Sequence, residues 1–109
     1  MTSGLPVVIP APVITETTML SRFRRNERAV DALLRSVVDG TVAIVDLEWA
    51  DYARVRELIS KYSDLSLGFV DASVVAVAER LDETTIATLD RRHFSVVKPA
   101  HCEAFTLVP

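Results

Sequence analysis

The sequence predicts an α/β fold, with a parallel sheet flanked by helices. Short, continuous, β-branched runs alternate along the chain with longer segments of helical periodicity, which is the pattern of strands buried between helices. Leu5–Ile9 is predicted to be the first of these strands and Thr41–Val45 the second. The chain has 109 residues and half of them are apolar. We therefore expect one hydrophobic core and a single domain over residues 1–109.

Local signals set the bounds of each predicted element. Pro10 ends the first strand, and Pro12 suits the first turn of a helix. Gly40 is the stop signal of the second helix. In chain order, we predict helices over 12–25 and 27–38, a strand over 41–45, a helix over 47–62, a connector over 63–67, a helix over 69–81, a strand over 84–89, a loop over 91–97 and a strand over 105–108.

Charge and cysteine content narrow the functional class. A net charge of -3 gives no global basic field, so an enzyme acting on nucleic acid would need local arginines and metal ions. Cys102 is the one cysteine, which excludes an intramolecular disulfide and fits the reducing cytosol. No run reaches the roughly 18 apolar residues of a membrane helix, and the first ten residues do not resemble a signal peptide. We expect a cytoplasmic protein with no membrane partner.

Glu16 is placed unusually for a charged residue. On a helical wheel it falls within the stripe formed by Val13, Leu20 and Phe23 instead of on the polar side. A carboxylate in an apolar stripe is costly unless it is paired or bound to a cation. The alternative is that Glu16 lies at the edge of the stripe and reaches water.

Two further carboxylates begin or follow predicted elements. Asp71 opens the helix over 69–81, where a capping or dipole role is the simple alternative to a functional one. Asp90 directly follows a strand, where Asp commonly begins a turn. In a parallel sheet, however, ligands bind beyond the carboxyl ends of the strands, and Asp90 occupies such a place.

Glu16, Asp71 and Asp90 could converge at one edge of the sheet. Such a cluster repels itself unless protons or cations neutralise it. Ligand sets made only of oxygen atoms suit Mg²⁺ or Mn²⁺. Metal-assisted phosphodiester hydrolysis follows as a hypothesis, with the ion polarising a phosphoryl oxygen and supplying hydroxide for in-line attack.

Three segments of the chain resemble VapC-type PIN-domain ribonucleases, the toxins of toxin–antitoxin systems. Two are the C-terminal motifs Leu-Gly-Phe-Val-Asp-Ala-Ser at 67–73 and Ala-Thr-Leu-Asp-Arg-Arg-His-Phe at 87–94. The opening Leu-Pro-Val-Val-Ile-Pro at 5–10, followed by Val-Ile-Thr-Glu at 13–16, is similar to the family's second strand and acidic helix. The resemblance covers essentially the whole chain, and the two C-terminal motifs are its most specific part.

The resemblance implies a function and a set of roles. It implies an endoribonuclease in which Glu16, Asp71 and Asp90 hold Mg²⁺ or Mn²⁺ and a metal-activated water attacks RNA. Ser73 matches a small polar position near the family's metal site, although a solvated or capping serine is the alternative. Arg91 and Arg92, beside Asp90, are candidates for phosphate contact. The implied partners are the RNA substrate, a small antitoxin and a second copy of the toxin in a homodimer.

The sequence departs from the family pattern at its beginning. The family starts with a strand and an Asp-containing turn, and only residues 1–4 precede Leu5 here, so we expect the family's first strand, first helix and first acidic ligand to be missing. A missing strand leaves its neighbours without backbone partners and exposes apolar surface. The rival hypothesis is a catalytically inactive remnant that binds only an antitoxin or itself. A third is a generic α/β fragment whose acids are caps and turns.

Overall fold

The computed structural model describes residues 7–23, 26–88 and 91–109, with only the backbone described over 20–23. The chain forms two compact units, Met1–Leu47 and Glu48–Pro109. The assignment of the whole chain to a single domain stays a prediction.

Strands and helices alternate in the first unit. It consists of β1 (Val7–Pro10), α1 (Ala11–Phe23), α2 (Glu27–Val38) and β2 (Val42–Val45). The two strands pair in parallel, with Val7 opposite Val42 and Pro10 opposite Val45. Two helices therefore form the crossover that a parallel pair of strands requires.

The bounds of α2 follow from local hydrogen bonds. The side chain of Asn26 accepts a bond from the amide of Ala29 at 3.3 Å, which caps the first turn. At the other end Gly40 has φ +85°, a conformation that glycine adopts without strain. Helix α2 thus ends just before Gly40, and both of its bounds match the prediction.

Few side chains are buried in the first unit. Among its described side chains Pro10 is buried, and α2 contributes none. Val8 and Leu34 are 41% and 46% exposed. The apolar residues of α2 are therefore only partly covered.

The hydrophobic core lies in the second unit. That unit consists of α3 (Trp49–Lys61), a 3₁₀ turn (Ser63–Leu65), α4 (Phe69–Arg80), β3 (Thr85–Ala87) and β4 (Thr106–Val108). Strands β3 and β4 pair in parallel, with Ile86 opposite Leu107. Helix α4 is the central element of this core, with Ala72, Ser73, Val75, Ala76, Val77 and Ala78 buried. The core cluster comprises Val55, Leu58, Leu67, Ala72, Val75, Ala76, Ala78, Ile86, Phe94, Val97 and Phe105.

Two partly buried ion pairs join α3 to α4. Arg54 binds Glu79 through two hydrogen bonds, and Arg80 binds Asp51, which is 3% exposed. Asp51 also accepts the amide of Glu48 at 2.8 Å in a capping box. This box explains why α3 begins at Trp49 and not at Leu47, since Glu48 is the capping residue.

The prediction of an α/β fold with parallel strands flanked by helices is confirmed. Several predicted bounds were too wide: β2 and β4 each begin one residue later, and β3 covers 85–87 instead of 84–89. Predicted residues 5–6 of the first strand, 24–25 of the first helix and 89–90 lie outside the described residues. In the described ranges, no helix has the length and apolar character needed to cross a membrane.

Candidate functional site

The start of α4 positions Asp71. Gly68 precedes the helix in an extended conformation and accepts the first helical bond, from the amide of Ala72 at 3.0 Å. Asp71 therefore lies in the first turn, where a negative charge interacts favourably with the helix dipole. Its side chain is 34% exposed. A carboxylate in this position is accessible from solvent while its backbone is fixed by the helix.

The carboxylate of Asp71 bonds to His93. Asp71 Oδ2 lies 2.6 Å from His93 Nδ1, and the imidazole is only 12% exposed. A carboxylate can only accept, so Nδ1 is the donor. The predicted capping role is therefore not what engages this side chain, because its partner is 22 residues away along the chain.

His93 belongs to a turn that is anchored to the core by the residues that follow it. Phe94 and Val97 are buried in the core at 6% and 3% exposure. The carbonyl of His93 accepts bonds from the amides of Val96 and Val97 at 3.1 and 3.0 Å. The imidazole is thus held in place by core packing and by the backbone of its own turn.

Ser73 is fully buried in the second turn of α4. Its exposure is 0%, and its hydroxyl donates to the carbonyl of Phe69 at 2.7 Å. A solvated serine was therefore the wrong alternative. The role in substrate binding stays a prediction, and the hydroxyl would have to leave Phe69 to serve it.

Arg91 and Arg92 are both exposed in the turn that carries His93. Nη1 of Arg91 donates to the main-chain oxygen of Pro109 at 3.0 Å, and the carbonyl of Arg92 accepts a bond from the hydroxyl of Ser95. The exposure of both residues is compatible with the predicted phosphate contact, which stays a prediction.

That the three predicted carboxylate ligands meet at one site stays a prediction. Glu16 is exposed on α1 in the first unit, in keeping with the alternative that it reaches water. Asp71 lies in the second unit, and Asp90 lies outside the described residues. In residues 7–23, 26–88 and 91–109 no group of three or more acidic, His or Cys side chains could hold a metal ion. The donor chemistry of Asp71 fits Mg²⁺ or Mn²⁺, but a complete ligand set stays a prediction.

His93 is the residue that sequence reasoning did not assign to this site. The spacing of His93, His101 and Cys102 matches no closed four-ligand zinc pattern, so the sequence indicates no zinc role for His93. Its place in the motif over 87–94, three residues after Asp90, was the available signal. The motif could not identify Asp71 as the partner of His93, because the two residues lie in segments that are distant along the chain.

The comparison with known protein families settles what kind of domain carries these motifs. A model of the PIN domain matches residues 3–99. The chain belongs to the PIN domain family.

A relative of this PIN domain has a named activity. Ribonuclease VapC26 from Mycobacterium tuberculosis (strain ATCC 25618 / H37Rv) is 33% identical to the chain over 103 residues. The aligned part covers 94% of this chain and 76% of that protein. The identity supports the predicted resemblance to VapC-type ribonucleases.

Proposed function

We propose that this PIN domain is a metal-dependent endoribonuclease and the toxin component of a VapBC-type toxin–antitoxin system. The observation that carries the proposal is Asp71, which is partly exposed at the start of α4 within a segment that the PIN domain match includes. Its carboxylate has one oxygen bonded to His93. The similarity to a ribonuclease over most of the chain supports RNA as the substrate.

Glu16, Asp71 and Asp90 are the proposed ligands of Mg²⁺ or Mn²⁺. Such an ion, when bound, neutralises charge on a phosphodiester and activates water for hydrolysis. Asp71 supplies a carboxylate oxygen at a fixed place on α4, and His93 occupies the other oxygen. Arg91 and Arg92 supply positive charge for phosphate in a protein whose net charge is -3.

The proposed partners are the RNA substrate, a cognate antitoxin and a second copy of this chain in a homodimer. Toxins with this activity act on cellular RNA, so we propose the cytoplasm as the place of action. The similarity to a VapC protein supports the antitoxin and RNA in general, and the homodimer is an expectation carried from the family.

Cleavage of RNA by the purified 109-residue chain tests the proposal. We would compare cleavage with Mg²⁺, with Mn²⁺ and with EDTA, beside Asp71→Asn and Asp90→Asn. The Asn side chain at position 71 can still accept a bond from His93, so this variant removes the charge while keeping the contact. Cleavage that needs the metal and falls by orders of magnitude in both variants is expected. Metal-independent cleavage, or no cleavage by the folded chain, contradicts the proposal.

A binding role without catalysis is the second candidate. It is favoured by an exposed aromatic surface formed by Trp49, Tyr52 and Phe69, which are 91%, 49% and 44% exposed. Tyr52 lies between the other two, with both ring centroids 6.4 Å away. Exposed aromatic side chains are enriched where proteins bind one another. Binding of the cognate antitoxin that weakens in Trp49→Ala, together with an absence of RNA cleavage, would favour this candidate.

A further inference from the structure

We propose that His93 is a positioning residue, which holds the carboxylate of Asp71 so that its second oxygen faces a divalent cation. The inference rests on the proposed function, because it concerns the same site. In this inference His93 does not bind the cation itself, whereas Glu16, Asp71 and Asp90 are the predicted ligands.

The hydrogen bond leaves one oxygen of Asp71 available. His93 Nδ1 donates to Oδ2 at 2.6 Å, and the described residues provide no other hydrogen bond to this carboxylate. Among the described residues, Oδ1 is therefore the oxygen of Asp71 left open for the proposed cation. Ligating carboxylates are typically held by such outer hydrogen bonds, which fix their orientation.

The imidazole is better fixed than the carboxylate that it holds. His93 is 12% exposed and Asp71 34%. Its neighbours Phe94 and Val97 are buried, and just beyond them the amide of Lys98 donates to the hydroxyl of Tyr62 at 2.8 Å. The turn that carries His93 is thus attached to the core independently of Asp71.

The carboxylate of Asp71 would otherwise have rotational freedom. The terminal torsion of an Asp side chain is broad, and a side chain that is one-third exposed has space to turn. A cation that binds one oxygen can then bind only a fraction of the orientations of the carboxylate. Its apparent affinity is lowered because the other orientations are not competent to bind. Loss of a partner of this kind typically lowers metal affinity by about 10- to 100-fold.

Three substitutions separate this role from a merely structural one. His93→Asn keeps a nitrogen donor at the place of Nδ1. His93→Gln places its donor near the position of Nε2 and so serves as the matched control with the same functional group. His93→Leu fills similar space without any donor.

Mn²⁺ binding to the full chain is the decisive measurement, by calorimetry or by electron paramagnetic resonance of free Mn²⁺, with Asp71→Asn included. Thermal unfolding without metal checks that each variant is folded. We expect His93→Leu and His93→Gln to bind Mn²⁺ about 10- to 100-fold more weakly than wild type, and His93→Asn to recover most of that affinity.

The outcomes distinguish this inference from the proposed function. If wild type binds Mn²⁺ through Asp71 and all three His93 variants bind equally well, the positioning role is wrong while the metal site stands. If affinity follows only the loss of thermal stability, with no recovery in His93→Asn, the positioning role is also wrong. If wild type binds no Mn²⁺, or Asp71→Asn binds it unchanged, the proposed metal site fails and the role of His93 fails with it.

Discussion

Arg54 and Glu79 form a two-bond ion pair between α3 and α4, with Nε to Oε1 at 2.8 Å and Nη2 to Oε2 at 2.9 Å. Oε2 also accepts the amide of Ala100 at 2.7 Å. One carboxylate therefore connects both helices to the segment after the His93 turn. Because the Glu79 side chain is only 11% exposed, water cannot readily replace these partners.

Replacement of Glu79 should be costly. Glu79→Gln removes the charge that compensates Arg54, and charged hydrogen bonds contribute about 1.5–3 kcal/mol each in such places. We expect the free energy of unfolding to fall by about 1–3 kcal/mol, measured by urea denaturation at pH 7. Glu57→Gln is the control, since Glu57 binds the same arginine at 3.3 Å but is 67% exposed. Equal losses from the two variants would contradict the argument from burial.

Stability should depend on pH through the same carboxylate. Burial acts to raise the pKa of Glu79, but the hydrogen bonds from Arg54 and Ala100 outweigh it and hold the pKa below its usual value. The unfolded chain then binds the proton more readily, so this stabilisation is present above pH 4.5 and is lost as pH falls through the folded pKa. The difference in unfolding free energy between wild type and Glu79→Gln should shrink as pH falls below about 4.5. A difference that is constant from pH 7 to pH 3 would contradict this.

The contribution of an ion pair to the stability of the fold should depend on how deeply the pair is buried, and not on the distance between its charged atoms. Arg35 and Asp31 lie 2.6 Å apart on α2, with side chains 78% and 67% exposed, whereas Asp51 is 3% exposed and bonds Arg80 at 3.0 Å. Exposed pairs four residues apart contribute about 0.3–0.5 kcal/mol, while breaking a buried pair costs about 3–5 kcal/mol. We expect Asp51→Ala to lower the midpoint of thermal unfolding far more than Asp31→Ala. The reverse order would show that distance governs.

Ser73, Arg91 and Arg92 are the residues predicted to bind the substrate. Ser73→Ala removes a hydroxyl that is buried and bonded within α4, so the loss of stability should be about 1 kcal/mol or less, and the predicted role in substrate binding requires RNA affinity to fall as well. Arg91→Ala and Arg92→Ala should each weaken RNA binding and reduce its salt dependence by a slope of about 0.7 per lost phosphate contact. Titrations of RNA at several salt concentrations measure both quantities. Unchanged RNA affinity in Ser73→Ala would contradict the predicted role of its hydroxyl.

Two aromatic residues of the second unit should differ sharply in their effect on stability. Trp49 is 91% exposed and Phe94 is 6% exposed, so only Phe94 contributes its ring to the core. Trp49→Ala should change the free energy of unfolding by no more than about 0.5 kcal/mol, and Phe94→Ala should cost about 3–5 kcal/mol. Chemical denaturation of both variants measures this. A large loss in Trp49→Ala would mean that the indole is covered in solution.

The sequence by itself determined most of the secondary structure and the family. The periodicity of α2 and its stop at Gly40 were sufficient because they depend on neighbours along the chain. Parallel strands followed from the alternation of short apolar runs with helices. The motifs around Asp71 and His93 were enough to indicate the PIN domain, which the comparison confirmed.

Only the tertiary structure decided which side chains meet. Asp71 and His93 are 22 residues apart, and Arg54 and Glu79 are 25 apart, so no local pattern could pair them. Burial likewise depends on how helices pack, which is why Ser73 is fully buried and Trp49 is exposed. A hydrogen bond across the fold forms because core packing of residues such as Phe94 brings separate segments together. That packing is a property of the whole unit and not of any one segment of sequence.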